Sequence, residues 1–94
     1  MQIDTEIKPQ LFIDRAHAER AKGFNNHPKR FEVSLPLYAS LQRIATPNPM
    51  SGVYYDMNFQ TQKCSLYCLG LIILPIEEII FPRLITAGNK IEEL

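Results

Sequence analysis

The chain has 94 residues and a mass of 10.8 kDa, which fits a single domain over residues 1–94. Ten Lys and Arg balance ten Asp and Glu, so the composition argues against a strongly basic nucleic-acid binder and against an acidic nucleic-acid mimic. Apolar residues make up 46% of the chain and charged residues 21%, proportions that are typical of a globular protein and exclude a wholly disordered one.

Two helices and two short strands are predicted in the first half of the chain. Alternating side chains indicate a strand over residues 2–7. Pro9 and Gly23 bracket a helix over 9–22, whose first turn is left open between Pro9 and Asp14. Alternation indicates another strand over 31–35, and Pro36 opens a helix with an apolar stripe over 37–45.

The strongest strand signal lies between Val53 and Phe81. Residues 53–60 alternate between apolar and polar side chains, as in a strand with one solvated face. Residues 64–74 are almost continuously apolar, as in a strand that is covered on both faces. We predict that these two strands pair as a hairpin.

The chain beyond this hairpin gives weaker signals. Pro75, Glu77 and Glu78 indicate the start of a helix that Pro82 limits to two turns or fewer. Residues 82–86 are predicted as either a strand or a turn. A charged tail follows Gly88.

Together these elements predict an α+β fold, a small antiparallel sheet built on the 53–74 β-hairpin with one or two covering helices. The apolar second strand needs cover on both faces, and the predicted helices are too short to supply both. We therefore expect a homo-oligomer whose number of copies and symmetry stay open. Its interface is predicted at four apolar residues of that strand, namely Leu66, Leu69, Leu71 and Ile73.

No membrane segment or secretion signal is recognisable in the sequence. The N-terminus is polar and acidic where a signal would need a basic and an apolar region. The longest apolar run has about eleven residues, against the roughly twenty that a membrane-spanning helix requires. We expect a cytoplasmic protein with reduced cysteines and no membrane partner.

No motif predicts catalysis, a metal site or a cofactor. On one strand, Cys64 and Cys68 would have Cα atoms about 13 Å apart, too far to share a metal ion. Both are therefore predicted to be buried structural cysteines. His17 and Glu19 match half of a zinc-deaminase signature, but its P-C-x-x-C half is missing. The chain is accordingly predicted not to be an enzyme.

The loop over residues 25–30 is the best candidate for a binding surface. Its His27, Lys29 and Arg30 suit a small anionic ligand such as a nucleotide, because they combine two cations with an imidazole. Asn26 and Tyr54 are the candidate contacts to a protein partner, since tyrosine offers a large contact area at low entropic cost. The alternative is a plain hydrophilic connecting loop.

Three functional hypotheses follow from these features. The first is a small non-enzymatic oligomeric interaction protein, an adaptor or inhibitor that acts by binding a larger protein partner, as a phage-type accessory protein would. The second is a binder of a small anionic ligand or nucleotide that uses the 25–30 loop. A nucleic-acid binder ranks third because the net charge is zero.

Overall fold

The computed structural model describes residues 8–23, 27–58, 60 and 63–94. Within these residues the chain forms two α-helices, six β-strands and a short 3-10 helix, so the predicted α+β class is confirmed. The helices are α1 (Pro9–Ala21) and α2 (Leu35–Ile44). The strands are β1 (Pro28–Ser34), β2 (Val53–Asn58), β3 (Lys63–Cys68), β4 (Leu71–Ile76), β5 (Arg83–Thr86) and β6 (Lys90–Glu93). The strand predicted over 2–7 lies outside the described residues.

The six strands form one sheet in the order β2-β3-β4-β1-β5-β6. Strand β1 lies in the middle, parallel to β4 and antiparallel to β5. The other pairs are antiparallel, so the sheet is mostly antiparallel as predicted but larger. The parallel pair arises because the chain passes through α2, β2 and β3 before β4 returns beside β1.

The prediction of one continuous strand over 64–74 is wrong, because the apolar run turns back on itself at Leu69 and Gly70. These residues have φ values of 54° and 81°, and two consecutive positive φ values are the pattern of tight hairpin turns. Strands β3 and β4 are therefore neighbours in the sheet, with Leu66 opposite Ile73. The length of the apolar run reflects two strands that share one buried face.

We expect Gly70→Ala to lower the free energy of unfolding by about 1–2 kcal/mol, the cost of placing a Cβ atom in the left-handed region. A Cβ atom at this position would meet no atom within 4 Å apart from those of the two neighbouring residues, so packing adds no penalty to the backbone strain. Chemical denaturation measures it. Gly70→Asn is the matched control and should cost clearly less, since asparagine tolerates this conformation; equal losses for both variants would contradict the assignment.

Both predicted helices are present, and their ends follow the capping residues. Helix α1 begins at Pro9, which settles the open choice of its first turn, and the chain leaves it through Gly23 at φ 90°. Helix α2 begins directly after Ser34, whose Oγ accepts a hydrogen bond from the backbone N–H of Leu37 at 3.3 Å. Neither helix combines the length and the apolar character that a membrane span requires.

The hydrophobic core lies between the two helices and one face of the sheet. Phe31 of β1 meets Phe12 of α1 edge to face, with ring centroids 5.3 Å apart and planes at 77°. Helix α2 adds Leu37 and Leu41. The buried cluster comprises Phe12, Ile13, Ala16, Phe31, Val33, Leu37, Leu41, Val53, Leu66, Cys68, Ile73 and Leu84.

The chain after β4 differs from its prediction in two places. No helix follows Pro75, because β4 continues to Ile76 and a turn follows at Glu77 and Glu78. Proline is tolerated in this strand because the register of β4 with β3 ends at Leu66↔Ile73, which leaves Pro75 with a neighbour on the β1 side only. Residues 83–86 are a strand, and the charged tail supplies β6.

Candidate functional site

The sheet face that points away from the helices carries a row of side chains across all six strands. The register pairs join one residue from each strand, in the order Tyr54, Tyr67, Ile72, Arg30, Ile85 and Ile91. At about 4.8 Å per strand the row spans roughly 24 Å. We call this face, with the adjacent Glu32, Leu74 and Arg83, the second face.

One end of the second face is aromatic and apolar, and we call it the tyrosine end (Tyr54, Tyr67, Ile72 and Leu74). The two tyrosine rings stack across β2 and β3 with centroids 5.6 Å apart and planes at 19°. All four side chains are partly exposed, and the helices of the described residues lie on the opposite face. Solvent therefore reaches an aromatic surface that the fold holds in a fixed geometry.

The middle of the second face holds an ion cluster of Arg30, Glu32 and Arg83. The Nε of Arg30 donates to Oε2 of Glu32 at 3.0 Å, and the Nε of Arg83 donates to Oε1 at 2.8 Å. The Glu32 side chain is only 8% exposed, whereas the arginine side chains are 31% and 26% exposed. Both carboxylate oxygens are thus satisfied, and the cluster links β1 to β5.

Two opposing effects act on the Glu32 carboxyl. Burial alone raises its pKa, while the hydrogen bonds and positive charges of Arg30 and Arg83 lower it more strongly. The pKa therefore lies below its ordinary value of 4.5. At neutral pH the group is a carboxylate that is fully engaged by its two partners.

Residues 28–30 of the predicted 25–30 loop belong to strand β1, and the structure divides the candidate residues of this segment. His27 and Lys29 are exposed, with Lys29 at a register shift between β1 and β5. The side chain of Arg30 lies on the second face and is paired with Glu32, so it is not presented as a free cation. Asn26 lies outside the described residues. The anionic-ligand site stays a prediction.

The four residues predicted for the oligomer interface are also divided. Leu66 and Ile73 are buried between the sheet and the helices, which shields their side chains from a second copy. Leu69 and Leu71, at the turn between β3 and β4, are partly exposed and pack against the same core. The turn at Gly70 makes β3 and β4 neighbours in the sheet. The helices therefore cover the core-facing residues of both strands at once.

The two cysteines differ in their surroundings. Cys68 is buried as predicted, and burial raises the pKa of its thiol to about 11. The prediction is wrong for Cys64, which is exposed beside a pocket between α2 and the β2–β3 hairpin. The pocket volume of about 210 Å³ is below the size usual for small-molecule sites. Among the described residues, no group of three or more His, Cys, Asp or Glu is arranged to hold a metal ion.

Tyr67, Ile72 and the Glu32–Arg83 pair are missing from the sequence-based candidates. Treating 64–74 as a single strand hid the fact that Tyr67 and Ile72 are cross-strand neighbours. A usable signal was present in the alternation of Lys63, Ser65 and Tyr67 with apolar residues. The Glu32–Arg83 contact depends on the β1–β5 pairing, which no local pattern indicates.

Comparisons with protein-family models, with curated proteins and with solved structures find no match. Functional interpretation therefore rests on the chemistry of the second face.

Proposed function

We propose that the chain is a small non-enzymatic interaction protein that binds a larger protein partner through the tyrosine end. The Tyr54–Tyr67 stack carries this proposal. A stacked and partly exposed tyrosine pair offers a large contact area, and each ring already limits the freedom of the other. Less side-chain entropy is then lost on binding.

The surroundings of the two rings have the composition of a protein interface. Ile72 and Leu74 continue the apolar surface toward the centre of the sheet. Asp56 and Ser65, register partners on the same face, add polar groups beside the tyrosines. An aromatic centre with a polar rim is the usual anatomy of such a surface.

The charges near the tyrosine end favour a protein over a nucleic acid. The next residue of the row, Arg30, is engaged by Glu32. Asp56 is exposed on the same face and would repel phosphates. A nucleic-acid platform would need unpaired cations beside its aromatic rings.

We expect Tyr54→Ala with Tyr67→Ala to weaken partner binding by a factor of roughly 30 or more, the effect of losing about 2 kcal/mol at the centre of an interface. Affinity capture from a native lysate with quantitative mass spectrometry identifies the partner, and titration with the purified partner measures the loss. Tyr55→Ala is the matched control, because Tyr55 directly follows Tyr54 on β2 but lines the pocket on the helix side of the sheet.

Three results would contradict the proposal. One is a partner that binds wild type and the Tyr54/Tyr67 variant equally well. Another is a partner that is lost only with Tyr55→Ala. The third is specific retention of single-stranded nucleic acid that depends on the two tyrosines. Unfolding curves for each variant separate lost binding from lost folding.

A further inference from the structure

A second surface lies where three strands meet the same end of the sheet. Ser34 at the end of β1 is the register partner of Ile76 at the end of β4, and β5 begins beside them, with Arg83 opposite Glu32. Leu35 and the connection from Glu77 to Phe81 therefore leave the sheet at one place. We call this the strand-end patch, formed by Leu35, Glu77, Glu78, Ile80 and Phe81.

The strand-end patch is apolar and acidic. Leu35, Ile80 and Phe81 are 47%, 63% and 54% exposed, which is unusual for such large apolar side chains. Glu77 and Glu78 are exposed, and no ion pair of the described residues involves them. The patch thus combines apolar area with two free negative charges.

Helix α1 carries a surface of the opposite charge. Residues spaced three and four apart lie along one side of the helix, and Lys8 and Lys22 flank its two ends as the N-cap and C-cap residues. We call these residues the basic stripe, and they are Lys8, Leu11, Arg15, Ala18 and Lys22. Glu19 at its border is engaged by Lys22 at 3.4 Å. Leu11 is 42% exposed, and Lys8, Ala18 and Lys22 are exposed, whereas Arg15 is partly buried.

The two surfaces share a border. Nη1 of Arg15 donates to the backbone oxygen of Leu94 at 2.8 Å, and the backbone N–H of Leu94 donates to the oxygen of Pro82 at 3.0 Å. Pro82 directly follows Phe81 of the strand-end patch. The basic stripe and the strand-end patch thus lie next to each other, bridged by the partly exposed Leu94 above the buried Pro82.

We propose that these two neighbouring surfaces bind a second copy of the chain about a twofold axis near Arg15 and Leu94. A twofold axis requires each surface to be complementary to itself. Here the axis places the strand-end patch of each copy on the basic stripe of the other. Symmetry then gives two equivalent contacts, in each of which opposite charges and apolar side chains lie together. The tyrosine end takes no part in this contact and stays free for a different partner.

Light scattering at micromolar concentration tests the proposal. Wild type should have about twice the 10.8 kDa mass of one chain. Glu77→Lys with Glu78→Lys should give the mass of one chain, and so should Lys8→Glu with Lys22→Glu, because each change brings like charges together. All four changes in one chain should restore the dimer.

Ala39→Lys with Gln42→Lys is the control for added positive charge, since it adds two charges at exposed positions of α2 outside both surfaces, and it should stay dimeric. A wild type with the mass of one chain overturns the proposal. So does a dimer that survives both charge reversals, or a fourfold variant that stays monomeric when each pair alone is monomeric and folded. These results test only the dimer. The proposal that Tyr54 and Tyr67 bind a protein partner is tested separately by the tyrosine variants.

Discussion

Phe31→Ala is expected to lower the free energy of unfolding by about 3–5 kcal/mol, the cost of emptying a large core position. Phe31 is fully buried on β1, the strand between β4 and β5. Its removal also takes away the edge-to-face contact with Phe12. A domain of this size is stable by roughly 5–15 kcal/mol, so the variant loses a large part of its stability.

Urea denaturation followed by far-UV circular dichroism measures this loss. Met50→Ala is the control, because a large apolar side chain is removed from a position that is 91% exposed, and it should change stability by about 0.5 kcal/mol or less. Phe31→Leu keeps most of the volume and should cost about 1.5 kcal/mol or less. Equal losses for Phe31→Ala and Met50→Ala would place Phe31 outside the core.

Glu32→Ala is expected to lower the free energy of unfolding by about 2–3 kcal/mol. Removing one member of a buried ion pair leaves an uncompensated charge, which costs about 3–5 kcal/mol when both groups are fully buried. The Arg30 and Arg83 side chains are 31% and 26% exposed, and solvent reduces the penalty. Chemical denaturation at neutral pH measures it.

A triple variant tests whether unpaired charge causes the loss. Replacing Arg30 and Arg83 by Met together with Glu32 by Leu removes the whole cluster, and exchange of a buried ionic cluster for apolar residues is often neutral. We therefore expect it to be more stable than Glu32→Ala. A triple variant as unstable as the single one would show that the specific hydrogen bonds matter and the orphaned charges do not.

The same carboxylate makes stability depend on pH. Because the folded-state pKa of Glu32 lies below its ordinary value of 4.5, its contribution is fully present above the unfolded pKa and is lost as pH falls through the folded pKa. The stability difference between wild type and Glu32→Gln should thus be constant near neutral pH and shrink below pH 4.5. A difference that grows on acidification would mean that the pKa is raised.

Local patterns predicted the elements whose ends are fixed by their own residues. Pro9 and Gly23 mark the two ends of α1 and Pro36 marks the start of α2, because a proline or a glycine acts within one turn. Alternation over 53–60 gave β2. Since these signals are local, the α+β class could be reached from them alone.

Pairing between distant strands was beyond these patterns. The turn between β3 and β4 places Leu69 at φ 54°. The backbone preference of leucine disfavours this conformation, and the geometry of the hairpin imposes it. The parallel neighbours β1 and β4 and the ion cluster on them follow from tertiary contacts. Tyr54 was identified as a candidate contact, but its stacking partner Tyr67 depends on the β2–β3 register.

The central position of β1 also sets the order in which the sheet can be assembled. Arg30 pairs with Ile72 and with Ile85, so both neighbours of β1 are made several dozen residues later, whereas β2, β3 and β4 can fold as consecutive hairpins. Pairing of strands that are far apart in the chain is slow, and here the pairing of β1 with β4 and β5 completes the sheet. During synthesis, a chain halted before Leu71 keeps Phe31 and both edges of β1 open to other nascent chains.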